Sequence, residues 1–209
     1  MDYKGYKELT FNDSQLAYFY NNKKSYEQEC GLKENQYLLI KDYSGEVVDK
    51  YCFQNGELRQ VLYHKLGGTF TGTIKPRNPQ QICLFDMLKD KTSKIKLVTG
   101  RFGSGKTMAM TVAALELIEK GKFDKIVWVR NNVSVKDAPE IGFLPGTEID
   151  KLMPYVMPLA DHAGGEEGVK KMLENGTLEV IPLGHLRGRS LRNSIVFCTE
   201  CENLTKQHI

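Results

Sequence analysis

The stretch TGRFGSGKTMAM, at residues 99–110, constrains the fold of this chain more than any other. Residues 100–107 match the pattern G-x-x-x-x-G-K-[ST] in full. The β-branched run KIKLVT at 94–99 predicts a strand that enters the loop, and the residues after Lys106 predict a helix that leaves it. A loop of this pattern between a strand and a helix is typical of a phosphate-binding loop, or P-loop.

The spacing of the motif has a physical explanation. Glycines at 100, 103 and 105 let the backbone turn successive N–H groups inward, and the following helix adds free amides and a partial positive charge. Lys106 is predicted to contact the β- and γ-phosphates of a nucleoside triphosphate, and the Thr107 hydroxyl to bind Mg²⁺. The predicted phosphate-contacting residues are Gly100, Arg101, Phe102, Gly103, Ser104, Gly105, Lys106 and Thr107. The alternative is an ordinary glycine turn, which would match the four fixed positions in roughly 1% of chains this long.

Composition places the chain among folded, non-membrane proteins. Of its 209 residues, 41% are hydrophobic and 26% charged, close to the averages of globular domains. No apolar run approaches the roughly 20 residues of a membrane helix, and the polar start MDYKGYKELT does not resemble a secretory signal. Five cysteines form no even disulfide framework, so we expect a cytoplasmic location. The net charge of +3 is too small to indicate nucleic-acid binding by itself.

Two parts are predicted along the chain, a small β-rich unit at residues 1–71 and an α/β domain at 72–209. In the first part, Asn12 or Asp13 caps one helix. The runs NQYLLIKD, EVVDKYCF and ELRQVLYH, separated by Ser-Gly and Asn-Gly, predict a three-stranded meander. The segment GGTFTGTIKPRNP at 67–79 indicates a linker.

The second part alternates strands and helices, which is typical of a parallel sheet. Its predicted strands are KIKLVT, KIVWVR, TLEVIPL and NSIVFCT. Its predicted helices are GKTMAMTVAALELIEKG, EIDKLMPYVMPLADH and GVKKMLENG. Pro154 and Pro158 predict that the second of these helices is kinked or broken.

Two polar positions outside the loop are candidates for the same chemistry. Upstream, Gln81 either completes the cap of a helix that begins after Asn78 or contacts the adenine edge. Downstream, NSIVFCT ends at Thr199 and is followed by Glu200, the two positions where such sites place a metal-side carboxylate and a base. Glu200 is the predicted catalytic base, with a solvated strand-end carboxylate as the alternative. Thr199 occupies the metal-side position with an uncharged hydroxyl.

Several arginines and cysteines in the second part of the chain have both a functional and a structural interpretation. Arg187 and Arg189 suit a phosphate of nucleotide or nucleic acid, or else belong to a solvated loop. Arg130, at the end of KIVWVR, raises the same choice. Cys198 and Cys201 form a C-x-x-C pair without a second pair, so we interpret them as incidental core residues.

These motifs, in this order, resemble the PhoH-like family of ATPases, whose cores are similar to those of superfamily 1 helicases. The matching segments are PRNPQQ, TGRFGSGKT, IVWVRN, GFLPG, PLADH, LGHLRGRSL and FCTECENLT. The resemblance covers about residues 72–209, and the meander before them resembles the region that follows the PIN nuclease domain in two-domain PIN–PhoH proteins. No cluster of carboxylates before residue 72 indicates a PIN domain.

The resemblance implies a RecA-like or superfamily 1-like parallel sheet that binds ATP and Mg²⁺. It implies Gln81 near adenine, Lys106 and Thr107 on phosphate and metal, and Glu200 as the catalytic carboxylate. It places Arg187 and Arg189 near phosphate or nucleic acid. A ring-shaped homo-oligomer and single-stranded RNA as the polymer substrate are implied as well.

Two departures from the family pattern produce a second hypothesis. Thr199 stands where an aspartate is usual, and the family core continues past the Glu200 strand, so the domain is expected to be incomplete at its C-terminus. The first hypothesis is an ATP-hydrolysing, helicase-like enzyme acting on RNA. The alternative is a nucleotide-binding module or fragment that does not hydrolyse ATP. A small-molecule kinase would need a lid and an acceptor site, for which the sequence offers no candidate.

Overall fold

The computed structural model describes residues 4–69, 71–130, 148–186 and 188–199. Its strands are β1 (Tyr6–Thr10), β2 (Tyr37–Lys41), β3 (Val47–Gln54), β4 (Glu57–Gln60), β5 (Leu66–Gly68), β6 (Gly72–Ile74), β7 (Lys125–Arg130), β8 (Leu178–Pro182) and β9 (Ser194–Cys198). Its helices are α1 (Asp13–Asn21), α2 (Lys23–Glu29), α3 (Pro79–Lys89), α4 (Lys106–Glu119), α5 (Glu148–Ala160) and α6 (Gly165–Glu174). None of the described helices is long and apolar enough to cross a membrane.

The described residues form two compact units that interleave along the chain. The first unit contains residues up to 65 together with 75–97, and the second contains 66–74 together with the residues from 98 onward. A compact group of residues is not by itself a domain, so the predicted domain boundary between residues 71 and 72 stays a prediction.

A four-stranded sheet of order β1-β2-β3-β4 organises the first unit. The predicted meander of β2, β3 and β4 is confirmed as two antiparallel pairs. Asn55 and Gly56 turn between β3 and β4 with φ of 54° and 81°, as a tight hairpin requires. Strand β1, which the sequence did not predict, pairs parallel to β2. The helical connection through α1 and α2 allows this, because parallel neighbours need a crossover.

Strand β2 is buried on both faces, which makes it the centre of the first unit. Leu38 and Ile40 face α1 and α2, where Phe19 packs against them. Leu39 faces the opposite way, toward Cys83 of α3. The apolar side of α3 thus completes the core of the first unit.

A buried cluster of hydrogen-bonded and charged side chains links α3 to this sheet. Asp86 of α3 is 3% exposed, and its carboxylate accepts two hydrogen bonds from the Arg59 guanidinium, at 3.0 and 2.7 Å. The Tyr37 hydroxyl donates a third, at 3.0 Å. Burial, followed by the charge of Asp86, raises the pKa of Tyr37, so the phenol keeps its proton.

The second unit contains a parallel sheet of order β8-β7-β9, which confirms the predicted α/β class with a parallel sheet. One face of the sheet carries Ile126 and Trp128, which pack with α4, α5 and α6. The ring of Trp128 stacks on Phe197 with centroids 4.5 Å apart. The opposite face carries Val127 and Val129, which pack against apolar residues that follow β8.

The predicted linker contains regular structure. Strands β5 and β6 form an antiparallel hairpin, and the carboxylates of α4 hold its backbone. Glu116 accepts a hydrogen bond from the Gly67 amide at 3.1 Å, and Glu119 accepts one from the Thr69 amide at 2.8 Å. Only glycine fits at 67, because an added Cβ would lie 1.9 Å from the Gly72 carbonyl oxygen.

One local prediction was wrong. Residues 94–99 form no strand, and Ile95 and Leu97 are 92% and 76% exposed. A β-branched run becomes a strand only where a partner strand accepts its backbone hydrogen bonds, and none of the described strands pairs with residues 94–99. Helix α5, predicted to be kinked or broken at Pro154 and Pro158, is not broken there, since it continues through both residues. Its buried Val156 and Leu159 supply packing that offsets the lost backbone hydrogen bonds.

Candidate functional site

The predicted phosphate-binding loop connects residue 100 to the first turn of α4. Gly105 precedes the helix with φ of 82°, in the left-handed region that favours glycine. It provides no side-chain cap for the helix amides. Since the first four N–H groups of a helix have no partner within it, α4 directs several donors and its partial positive charge toward this loop. The arrangement suits an anion.

The loop and the start of α4 approach each other closely at Gly100. An added Cβ there would lie 3.4 Å from the Ser104 hydroxyl oxygen and 3.6 Å from Cδ of Lys106. The φ of Gly100 is 153°, which side chains rarely adopt. The Ser104 amide donates to the Arg101 carbonyl at 3.4 Å, which closes the tip of the loop. The glycine is therefore required by its backbone conformation, whereas the added Cβ would make only ordinary van der Waals contacts with Ser104 and Lys106.

Lys106 turns back over the loop rather than out into solvent. Its ammonium donates hydrogen bonds to the carbonyl oxygens of Gly100 at 2.8 Å and Arg101 at 2.9 Å. It also lies 5.9 Å from the ring centroid of Phe102, whose side chain is 95% exposed. The structure thus brings the invariant cation of the motif and the loop backbone into one cluster.

Thr107 follows in the first turn of α4 and is half-buried. Mg²⁺ usually keeps several waters and takes phosphate oxygens, so a single protein hydroxyl is a sufficient contribution to its ligands. No group of three or more histidine, cysteine or acidic side chains that could hold a metal occurs among the described residues. The donor set at this turn fits a magnesium ion bound mainly through phosphate and water.

Thr199 lies directly after β9, at the carboxyl edge of the parallel sheet. The pairing of Val129 with Cys198 fixes this edge, because β7 and β9 end side by side. Open α/β sheets bind ligands at the carboxyl ends of their strands. Glu200, the predicted base, lies outside the described residues, as does Cys201 of the C-x-x-C pair. Cys198 itself packs among apolar residues on one face of the sheet.

Gln81 occupies the third position of α3 and takes part in the helix start. Its amide donates to the Asn78 side chain at 2.8 Å, and its side-chain oxygen accepts from the Arg77 amide at 2.7 Å. The cap that the sequence suggested is therefore present, shifted by one residue from the usual reciprocal pattern. Its role at adenine stays a prediction.

Arg189 forms an ion pair within the second unit. Its guanidinium lies 2.5 Å from one oxygen of Glu179, and Lys125 donates to the other oxygen at 2.6 Å. The hydrogen bond from Lys125, with a contribution from Arg189, holds the pKa of Glu179 below its ordinary value. Sequence reasoning did not anticipate this carboxylate as the partner of Arg189. Arg187 lies outside the described residues, and the predicted contact of either arginine with phosphate stays a prediction.

Comparison with known proteins identifies a family over most of the chain. The family described as PhoH-like protein matches residues 73–209. Protein PhoH2 of Thermobispora bispora is 35% identical over 137 residues, which cover 64% of this chain and 31% of that protein. Protein PhoH2 of Bacillus subtilis is 27% identical over an alignment that covers 99% of this chain and 49% of that protein. A PhoH-like protein of Bacillus subtilis is 34% identical across 51% of this chain and 34% of its own length. The chain thus spans between about a third and a half of the length of these relatives.

Proposed function

The chain belongs to the PhoH-like protein family, and from this premise we propose that it binds ATP with Mg²⁺ at residues 100–107 and hydrolyses it. The observation that carries the proposal is the loop geometry. Donors at the uncapped start of α4 and the ammonium of Lys106 converge on one glycine-rich loop. The fold proposed with this activity is that of a RecA-like or superfamily 1 helicase-like P-loop nucleoside triphosphatase.

Each predicted residue has a defined role in this proposal. The amides at the start of α4 and the Lys106 ammonium bind the β- and γ-phosphates and compensate the charge that develops as the phosphoryl group transfers. The Thr107 hydroxyl holds Mg²⁺, which supplies further charge compensation when bound. Glu200 orients the attacking water and accepts its proton. The Thr199 hydroxyl contacts the water shell of the metal without adding charge.

Further parts of the proposal rest on the family premise. Gln81 contacts the adenine edge, while Arg187 and Arg189 contact phosphate or nucleic acid. Single-stranded RNA is the proposed polymer substrate, and a ring-shaped homo-oligomer the proposed assembly. The odd number of cysteines, which forms no even disulfide framework, supports a cytoplasmic location.

A second candidate function is nucleotide binding without hydrolysis. It is favoured by Thr199, because a hydroxyl there replaces the charged carboxylate that usually attracts the metal. Both candidates need Lys106, but only the first needs Glu200.

The test measures Mg-ATP binding by calorimetry and Mg-ATP hydrolysis with and without single-stranded RNA. Lys106→Ala should weaken binding by about 10- to 100-fold, since it removes charge-assisted hydrogen bonds to phosphate. Lys122→Ala, which removes an exposed lysine elsewhere in the second unit, is the matched control and should change neither quantity. Glu200→Gln should preserve binding and abolish turnover. Binding that is unaffected by Lys106→Ala would refute the proposal, and Lys106-dependent binding without turnover would establish the second candidate.

A further inference from the structure

We propose that Asn55 is a site of spontaneous deamidation, at which the side-chain amide becomes a carboxylate and the hairpin between β3 and β4 loosens. The site lies in the first unit and does not depend on nucleotide binding. Its co-reactant is water. The dipeptide Asn-Gly, which is prone to this reaction, occurs at residues 55–56 and again at 175–176, and the structure distinguishes the two.

The reaction is an attack of the backbone on the neighbouring side chain. The amide nitrogen of Gly56 loses its proton and bonds to Cγ of Asn55, the bond from Cγ to the side-chain nitrogen breaks, and ammonia leaves with the proton. Water then opens the cyclic succinimide. If the bond from the Gly56 nitrogen to Cγ breaks, aspartate results. If the bond to the backbone carbonyl carbon breaks, isoaspartate results, whose backbone is one carbon longer. Either product carries a new negative charge.

The turn at Asn55 and Gly56 leaves both reacting groups accessible. Both residues are exposed. Among the described residues, the Gly56 amide has no hydrogen-bond acceptor and the Asn55 side chain has no hydrogen-bond partner. Glycine carries no Cβ that would hinder the approach, and a Cβ added at Gly56 would meet nothing within 4 Å. The nucleophile and the carbon that it attacks are therefore both free to react.

The second Asn-Gly pair is equally exposed, but hydrogen bonds hold both of its reacting groups. The Gly176 amide donates to the Leu173 carbonyl at 3.3 Å, and the Asn175 side-chain oxygen accepts from the Thr177 amide at 2.9 Å. Breaking one hydrogen bond before the attack slows it by about 2- to 10-fold. Hydrogen bonding, rather than exposure, thus selects Asn55 over Asn175.

The product disturbs the hairpin that carries Arg59. Asn55 and Gly56 form a two-residue turn with φ of 54° and 81°, and such a turn sets the register of the paired strands. The longer backbone of isoaspartate does not fit it. Either product also places a carboxylate beside Glu34, whose oxygens accept from the Asn55 backbone amide at 3.1 Å, and like charges at this distance repel. Deamidation therefore weakens β4, the strand from which Arg59 reaches Asp86.

Peptide mapping by mass spectrometry on the full chain, incubated at pH 6 and at pH 8, tests the chemistry. In the native protein at pH 8, Asn55 should convert at least about 2-fold faster than Asn175. Conversion should slow at pH 6, because the Gly56 amide must lose its proton. In guanidinium chloride, where the hydrogen bonds of the fold are lost, the two asparagines should convert at similar rates.

Urea unfolding before and after the pH 8 incubation tests the consequence. Asn55→Gly is the matched control, because glycine adopts the positive φ of the turn and carries no side-chain amide. The urea midpoint of the incubated wild type, followed by far-UV circular dichroism, should fall by about 0.5–1 M as the turn is lost. The midpoint of Asn55→Gly should not change.

Three outcomes overturn the inference. Equal conversion of Asn55 and Asn175 in the native protein would mean that hydrogen bonding does not select the site. Conversion of Asn55 in guanidinium chloride alone would mean that the folded turn prevents the attack. Conversion of Asn55 in the native protein without a fall in the urea midpoint would mean that the hairpin accommodates its product.

Discussion

Replacing Arg59 by alanine should destabilise the first unit far more than an ordinary surface substitution. The Asp86 side chain is 2% exposed, and the Arg59 side chain, which contacts it from the solvent side, is 38% exposed. Both carboxylate oxygens accept from the guanidinium, at 3.0 and 2.7 Å. Arg59→Ala therefore leaves a buried carboxylate with the Tyr37 hydroxyl, and with the His64 imidazole 3.6 Å away, but without the guanidinium.

The magnitude follows from how deeply the two partners are buried. Breaking a fully buried ion pair by removing one partner costs about 3–5 kcal/mol. Because more than a third of Arg59 already faces solvent, water can solvate part of the exposed carboxylate, so we expect about 2–3 kcal/mol. With an m-value of about 1.5 kcal/mol/M for a unit of this size, the urea midpoint should fall by about 1.3–2 M.

Urea unfolding followed by two signals measures this effect. Far-UV circular dichroism reports both units, whereas the emission of Trp128, the single tryptophan, reports the second unit. Arg77→Ala is the matched control, because it removes an exposed arginine of the first unit and keeps the backbone amide that bonds Gln81. A midpoint for Arg59→Ala that equals that of Arg77→Ala would refute the reasoning.

Three further predictions concern charge, backbone fit and thiol protection. Glu179→Gln should reduce the loss of folding stability at acid pH, because Lys125 lowers the pKa of Glu179 in the folded state. The ionised carboxylate therefore stabilises the fold above the ordinary pKa near 4.5, and this stabilisation is lost as pH falls through the folded pKa. Urea midpoints from pH 7 to pH 3 should fall less for the variant than for the wild type, and an equal fall would contradict this. Gly67→Ala should cost about 2–4 kcal/mol, because its Cβ meets backbone, whereas Gly5→Ala, with open space around it, should stay within about 0.5 kcal/mol in thermal melts. Burial raises the pKa of Cys83 to about 12, so its peptide should react with iodoacetamide at pH 8 only after denaturant is added, and rapid native alkylation would disprove the burial.

Local sequence determined the elements whose signals lie within a few residues. Asn12 caps α1 with its side chain accepting from the Gln15 amide at 2.7 Å, as the first residues of that helix indicated. The Asn55-Gly56 turn and helix α4 after the glycine-rich loop also formed where the sequence placed them. Such features depend on backbone conformations and short-range hydrogen bonds that one segment satisfies alone.

In the candidate site as well, the sequence identified some features and only the structure revealed others. The loop from Gly100 and its lysine were identified from spacing, and the structure joins them at 2.8 Å. Nothing in the motif indicated that the Lys106 ammonium would lie near the Phe102 ring. Side-chain contacts of this kind depend on rotamers, which a motif does not specify.

The partners of distant segments were decided by tertiary structure. The apolar run at 94–99 had the composition of a strand, yet the strands beside β7 are β8 and β9. Nothing in the sequence around helix α3 indicated that Asp86 pairs with Arg59, 27 residues earlier, and with Tyr37, 49 residues earlier. Periodicity specifies which side of an element is apolar, not which surface will cover it. That choice follows from the buried area and the charge pairing that only the folded chain brings together.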